Sequence, residues 1–233
     1  MMRSIGWRRI VSVLLAFLLV DSFTCTVCGE PCQHGEVFLK NSSRNNQIAL
    51  TFDDGPHPRY SKEILSILEE YGIKATFFII GINAERYPEA LKLIAKSGCE
   101  IGNHTYSHST LKQRSPKEIQ GELEACQRVI QQIIGIRPVL FRPPQGATSQ
   151  ALLNVSKKMS FDVVLWSIDT LDWELTPSKE IFRNVLNNVK GGDIILMHDY
   201  VSGGNTTCDA LRLIIPQLLS KGYEFVTVSE LLR

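Results

Sequence analysis

The chain has 233 residues, 21% of them charged, and a formal net charge of +1 at pH 7. That length suits one domain, alone or with a targeting segment, and about 200 residues bury roughly 70% of the unfolded chain's surface without disulfide or metal staples. The near-neutral balance gives no electrostatic case for nucleic acid or an anionic membrane as a partner.

Arg3, Arg8 and Arg9 precede the apolar run IVSVLLAFLLV, Ile10 to Val20. A basic stretch before an apolar one of this length reads as a signal peptide, and it is short for a membrane span of about 20 residues. Residues 1–29 are expected to be a cleaved signal or, alternatively, an uncleaved anchor, so the chain is expected to be exported. Cys25 and Cys28 form a CxxC, but no second ligand pair follows at zinc-site spacing. Cys99 and Cys126 sit among apolar neighbours and read as small core residues, and no disulfide framework is expected. Residues 30–46, polar and rich in Asn and Ser, read as a linker before a catalytic domain over 47–233.

From there short apolar runs alternate with amphipathic segments. The runs are Ile48–Phe52, Ala75–Ile80, Cys99–Gly102, Val139–Arg142, Asp162–Ile168, Asp193–Met197 and Glu224–Val228, most of them bounded by Gly or Pro as buried strands are. Helices are expected over Ser61–Gly72, with Ser61 as N-cap, and over Pro88–Ser97. A third, Ser115–Gly135, has Ser115 as cap, Pro116 in the first turn and Glu118 at the capping-box position. Others cover Ser149–Met159, Pro177–Val189 and Cys208–Lys221. Seven strand–helix repeats imply an α/β fold of parallel strands joined by right-handed crossovers. Little polar alternation within the strands favours a closed or nearly closed barrel; an open doubly wound sheet is the alternative. In both, ligands gather at the carboxyl ends of the strands.

Those ends carry the titratable residues. Asp53 and Asp54 follow the first strand, His104 and His108 of NHTYSH the third, and Arg142 of RPPQG the fourth. Asp169, Asp172 and Trp173 of DTLDW follow the fifth, and His198 and Asp199 end the sixth. On one helical turn His104 and His108, four apart, share a face and can grip one metal ion, and a carboxylate from a neighbouring strand end completes an open set. One aspartate of the pair can then bind the metal while the other acts as a base toward water, and the cation offsets their mutual repulsion. His57 reads as a surface loop residue and His34 as an exposed linker residue, and Asp169 and Asp199 are as readily caps for loop backbone.

TFDDGP, HTYSH, RPPQG, DTLDW and LMHD resemble, in order and spacing, the five motifs of the polysaccharide deacetylases, the nodulation-factor-deacetylase homology domain of carbohydrate esterase family 4. The resemblance spans roughly Ile48 to Leu232 and implies a distorted (β/α)7 barrel. It implies that Asp53 is the catalytic base, and that Asp54, His104 and His108 are the metal ligands. Arg142 would orient Asp53, His198 would be the general acid, and Asp172 would hold His198 and raise its pKa. Trp173 and Leu196 would wall a slot for the acetyl methyl, with Pro143 and Gln145 also at the substrate and the backbone N–H of Gln145 donating to the oxyanion. Tyr is frequent in the family where this chain has Gln145, which bears on sugar stacking.

The expected activity is removal of the N-acetyl group from amino sugars of a polysaccharide, with peptidoglycan foremost. Chitin oligosaccharide and acetylxylan are alternative substrates, and a non-catalytic carbohydrate-binding protein is the alternative of another class. Zinc is the expected cofactor, though two nitrogens and one oxygen also suit cobalt, nickel or manganese. The expected partner is the N-acetylated polysaccharide alone, with no nucleic acid and no protein partner, and the chain is expected to be a monomer.

Overall fold

The computed structural model describes residues 36–201, 204 and 206–233, so the expected targeting segment, Cys25, Cys28, Cys32 and His34 lie outside the described residues. In chain order the elements are β1 (Val37–Phe38), β2 (Gln47–Gly55), α1 (Tyr60–Glu70), β3 (Thr76–Ile79), α2 (Gly81–Arg86), α3 (Pro88–Lys96) and β4 (Glu100–Asn103). Then come α4 (Pro116–Ile134), β5 (Leu140–Phe141), α5 (Gln150–Lys158), β6 (Asp162–Val164), β7 (Ile168–Asp169) and α6 (Ser178–Asn188). The chain ends with β8 (Ile194–His198), α7 (Thr207–Ser220), β9 (Glu224–Phe225) and α8 (Val228–Leu232).

The strands form one 9-stranded sheet in the order β1-β6-β5-β4-β3-β2-β8-β7, with β9 beside β2. Every strand pair is parallel. The sheet curls into the expected distorted (β/α)7 barrel. β6 and β7 lie near its two flanks but are joined by Leu165 to Ser167 alone, so the flanks stand at most roughly 15 Å apart. At this join the Leu165 N–H donates to the Phe38 carbonyl at 2.7 Å and the Ser167 N–H to the Ile194 carbonyl at 3.0 Å. The run Asp162–Ile168, expected as one strand, is therefore two, because its middle crosses from one flank to the other. β1 falls inside the stretch expected as a linker and pairs with β6, so the sheet begins upstream of Ile48.

Alternation along the strands sorts their side chains. Ile48, Leu50 and Phe52 of β2 pack outward with Ile64 and Ile67 of α1 and Ile214 of α7 in the main core. Ala49 joins Phe78, Leu140, Val164 and Ile194 in a separate inner cluster, closed below by Val228 and Leu231 of α8. Period two then carries Thr51 and Asp53 of β2, Arg142 after β5, and Leu196 and His198 of β8 onto that same inner face.

The helix ends follow the expected chemistry in α4, where Ser115 and Glu118 form a complete capping box and Gly135 closes the helix in left-handed conformation at φ 73°. Ser149 caps α5 through the Leu152 N–H. Ser61 does not cap α1, which starts one residue earlier. Its hydroxyl instead accepts from the His57 N–H at 2.7 Å and donates to Asp199. The expected strand Glu224–Val228 stops at Phe225, because Thr227 and Glu230 form a second capping box that starts α8. Cys99, Cys126 and Cys208 are buried free thiols.

Candidate active site

The acidic turn begins where β2 stops. Asp53 follows the strand's alternation inward and is 3% exposed. Asp54 takes the left-handed region at φ 71°, so the adjacent carboxylates leave the chain in different directions. Asn83 of α2 donates to the Asp54 carbonyl at 2.8 Å and pins that conformation. Gly55 follows under a tight constraint: a Cβ there would lie 2.1 Å from Asp199 Oδ2. Burial pushes the Asp199 carboxyl up to about 7, against the pull of Ser61.

The two histidines come from the segment after β4, and it is not helical. Thr105 and His108 both have left-handed backbone, at φ 69° and 59°. The expectation of a shared helical face is therefore corrected: the loop, not a helix repeat, brings the rings together. Asn103 Oδ1 accepts from the Thr105 N–H at 2.8 Å, and Thr105 Oγ1 accepts from the His108 N–H at 3.0 Å. Glu122 of α4 accepts from the N–H groups of Tyr106 and Ser107 at 3.0 and 2.8 Å and from the Ser107 hydroxyl at 2.8 Å.

His104 Nδ1 stands 2.7 Å from the Arg142 carbonyl. A carbonyl only accepts, so the proton sits on Nδ1 and the Nε2 lone pair faces the aspartates. His104 Nε2 lies 3.5 Å from Asp54 Oδ1, and His108 Nε2 lies 3.2 Å from the same oxygen. One ligand atom from each of these residues lies within 4.8 Å of the other two. Asp54 Oδ1 is buried and has no aligned hydrogen-bond donor. Burial alone would raise the Asp54 carboxyl, but the two imidazoles outweigh it and hold it well below the usual carboxylate range. Asp54 in turn raises His108 against the effect of burial. A cation at this point, either protons on the rings or a metal ion, is what the carboxylate demands. The three residues fit a divalent metal, and among the described residues no fourth ligand joins the set.

Asp53 is served from another side. Arg142 is fully buried, and its Nη1 donates to Asp53 Oδ1 and to Thr51 Oγ1, each at 2.8 Å. Its Nε and Nη2 donate to the carbonyls of Val164 and Leu165 at 3.1 and 2.8 Å. The guanidinium lies 4.1 Å above the Phe78 ring. Four of its five N–H groups are thus engaged and a ring covers one face, as a buried charge requires.

His198 stands directly beside Asp53 in the β2–β8 register. Its Nδ1 lies 2.7 Å from Asp172 Oδ1, and its own N–H donates to Asp172 Oδ2 at 2.8 Å. The Thr207 hydroxyl donates to Asp172 Oδ2 at 2.6 Å and completes the hold. Burial pulls the imidazole down, but Asp172 outweighs it and lifts His198 to about 9. Trp173, in the same short turn as Asp172, is 50% exposed. Leu196 is 3% exposed on the inner face, one alternation below His198. Pro143 is buried, and Gln145 is exposed on left-handed backbone at φ 61°, where it accepts from Thr110.

The structure thus brings Asp53, Asp54, His104, His108, Arg142, Asp172 and His198 together. Asp169 turns to its own loop, accepting from the Leu171 N–H at 2.9 Å. Thr51, Asn103, Glu122 and Thr207 hold the site from behind, and the sequence reading missed them. Of these, Asn103 opened the NHTYSH run, and Thr51 stood two residues before Asp53, where strand alternation places it on the same face.

A carboxylate-backed imidazole and an arginine-bound carboxylate, side by side on two strand ends with an open histidine–aspartate set before them, equip a parallel barrel for metal-assisted hydrolysis. The comparisons give that class its family: the chain belongs to the polysaccharide deacetylases, whose family model matches residues 40–164. The family is metal-dependent and hydrolyses C–N bonds. A peptidoglycan-N-acetylglucosamine deacetylase of Bacillus cereus is 40% identical over 193 residues, 81% of this chain and 90% of the relative. The solved Bc1960 peptidoglycan N-acetylglucosamine deacetylase superposes with a TM-score of 0.81 at 35% identity, covering 87% of this chain and 97% of that one. A family 4 acetyl xylan esterase from Clostridium thermocellum, solved with a cobalt ion, gives 0.74 at 37% identity over 79% of this chain and 89% of that one.

Proposed function

We propose that the protein is exported and removes the acetyl group from N-acetylated amino sugars of peptidoglycan, with zinc at Asp54, His104 and His108. The observation that carries this reading is the β2–β8 register. It sets a base, Asp53, beside a proton donor, His198, with both side chains on the inner face. Arg142 holds and aims the Asp53 carboxylate, so it can take a proton from the attacking water. Asp172 keeps His198 protonated on both nitrogens near neutral pH, so its Nε2 can give a proton to the leaving amine. The partners differ in kind, a guanidinium on Asp53 and a carboxylate on His198, which supports the roles in this order. The Gln145 N–H would donate to the oxyanion, and Trp173 and Leu196 would flank the acetyl methyl, with Pro143 beneath. A divalent metal held by the three ligands supplies Lewis-acid polarisation of the acetyl carbonyl.

Acetate release from peptidoglycan, chitin oligomers and acetylxylan tests this reading. Peptidoglycan should be the best substrate. Release should stop on exhaustive chelation and return with zinc. A chain that binds glycans and releases no acetate from any of the three would be a carbohydrate-binding protein instead. The relatives' named activities on peptidoglycan favour the first polymer, and the acetyl xylan esterase keeps the third in the comparison.

A further inference from the structure

Beside the acid and base, four rings lie together that take no part in the chemistry above. His57 packs against Tyr60, with centroids 4.7 Å apart, and against Tyr200, with centroids 4.9 Å apart and planes 14° from parallel, while Tyr60 and Tyr200 meet each other at 6.1 Å. Tyr87 meets His57 edge-on at 6.0 Å. Tyr200 follows His198 by two residues and His57 follows Asp54 by three. Their Cα atoms are therefore within roughly 8 and 11 Å of those site residues, a span of one or two sugar units. Tyr200 is 41% exposed, so part of the stack faces solvent.

His57, expected as a plain surface residue, is instead fixed in its protonation. Its Nδ1 accepts from the N–H groups of Arg59 and Tyr60 at 3.3 and 3.2 Å. The proton must sit on Nε2, which has no partner among the described residues. Burial and the neighbouring Arg59 charge lower its pKa, so the ring stays neutral. Two exposed guanidinium groups flank the stack: Arg59 lies 5.4 Å over Tyr60 and Arg86 lies 5.2 Å over Tyr87. Neither forms an ion pair among the described residues. The acids near Arg86 are engaged elsewhere, Glu85 by the Tyr106 hydroxyl and Glu89 by Lys92.

We infer that His57, Tyr60, Tyr87 and Tyr200, with Arg59 and Arg86, form a glycan subsite that takes a sugar unit bearing a carboxylate. Tyr200 offers an apolar face to the C–H bonds of a pyranose. The His57 Nε2–H donates to a sugar oxygen. The two arginines meet the carboxylate, which guanidinium binds in preference to neutral hydroxyls. The proposal rests on the polysaccharide reading above and narrows it, because chitin carries no carboxylate and muramic acid does.

The test uses calorimetric titration of the zinc-loaded Asp53→Asn chain, so that binding is read without turnover. Two tetramers are compared, one of N-acetylglucosamine alone and one alternating with N-acetylmuramic acid. The acidic tetramer should bind about tenfold tighter, and Arg59→Ala with Arg86→Ala should erase that difference. Tyr200→Ala should weaken both tetramers about tenfold, whereas Tyr200→Phe, which keeps the ring, should stay within about threefold. Equal affinity for the two tetramers, or unchanged affinity in Tyr200→Ala, overturns the subsite. If the unsubstituted chain releases no acetate while these binding differences persist, the deacetylase reading fails and the subsite is supported.

Discussion

Asp172 grips His198 twice, through the ring Nδ1 and through the backbone N–H, so the imidazole cannot turn away from its carboxylate. The lift to about 9 means that His198 is protonated through neutral pH. Its folded pKa lies above the ordinary 6.5, so its stabilising charge is complete below about pH 6.5 and is lost as pH rises through about 9. The rate should fall over the same alkaline range. Asp172→Asn removes the negative neighbour and should shift that alkaline limb to lower pH, with zinc content unchanged by elemental analysis. A limb that stays in place would assign it to another group. Asp53→Asn keeps the size of the base but accepts no proton, and turnover should drop about 10²–10⁴-fold with zinc retained. Asp54→Ala should lose the metal itself, and equal metal loss in both variants would refute the division between them. That these residues would gather was legible in the sequence because titratable residues crowded at strand ends are uncommon in a chain of only 5 histidines. Thr207 was not, since a threonine that donates to a carboxylate from behind looks like any other threonine.

The loop after β4 owes its shape to its neighbours. With two left-handed non-glycine residues it would not hold this form alone, and Glu122 on α4 takes up its free N–H groups. Glu122→Ala should therefore weaken zinc about 10–100-fold, read by competition with a coloured chelator, while α4 stays helical. Unchanged zinc affinity would show that Asn103 and Thr105 suffice. The turn after β2 has a similar dependence: Gly55→Ala drives a methyl into Asp199 and should lower both the melting temperature and zinc occupancy. At this scale the sequence misled in one respect. A spacing of four is shared by a helical turn and by many loops, and nothing in HTYSH itself signals left-handed Thr105 and His108. Ser61 misled similarly, since a serine before an apolar repeat resembles a cap until Asp199, far along the chain, is seen to claim it.

Across the whole molecule the parallel barrel was legible from its apolar runs, because strands buried on both faces leave few polar interruptions. The path by which it closes was not. Leu165 to Ser167 look like the middle of one strand, and only the positions of β1 and β8 show that the chain there leaves one flank for the other. Arg142 reaches across to this join, holding the Val164 and Leu165 carbonyls with the same guanidinium that holds Asp53. Arg142→Ala leaves a buried carboxylate without its cation and should cost about 3–5 kcal/mol, seen in denaturant titration. A stability within about 1 kcal/mol of the parent would contradict this account. The consequence reaches beyond stability. Where the barrel parts at its seam, Asp53 loses its charge partner in the same event, so closure and activity should fail together. Inactivation on heating would then time the opening of a join three residues long.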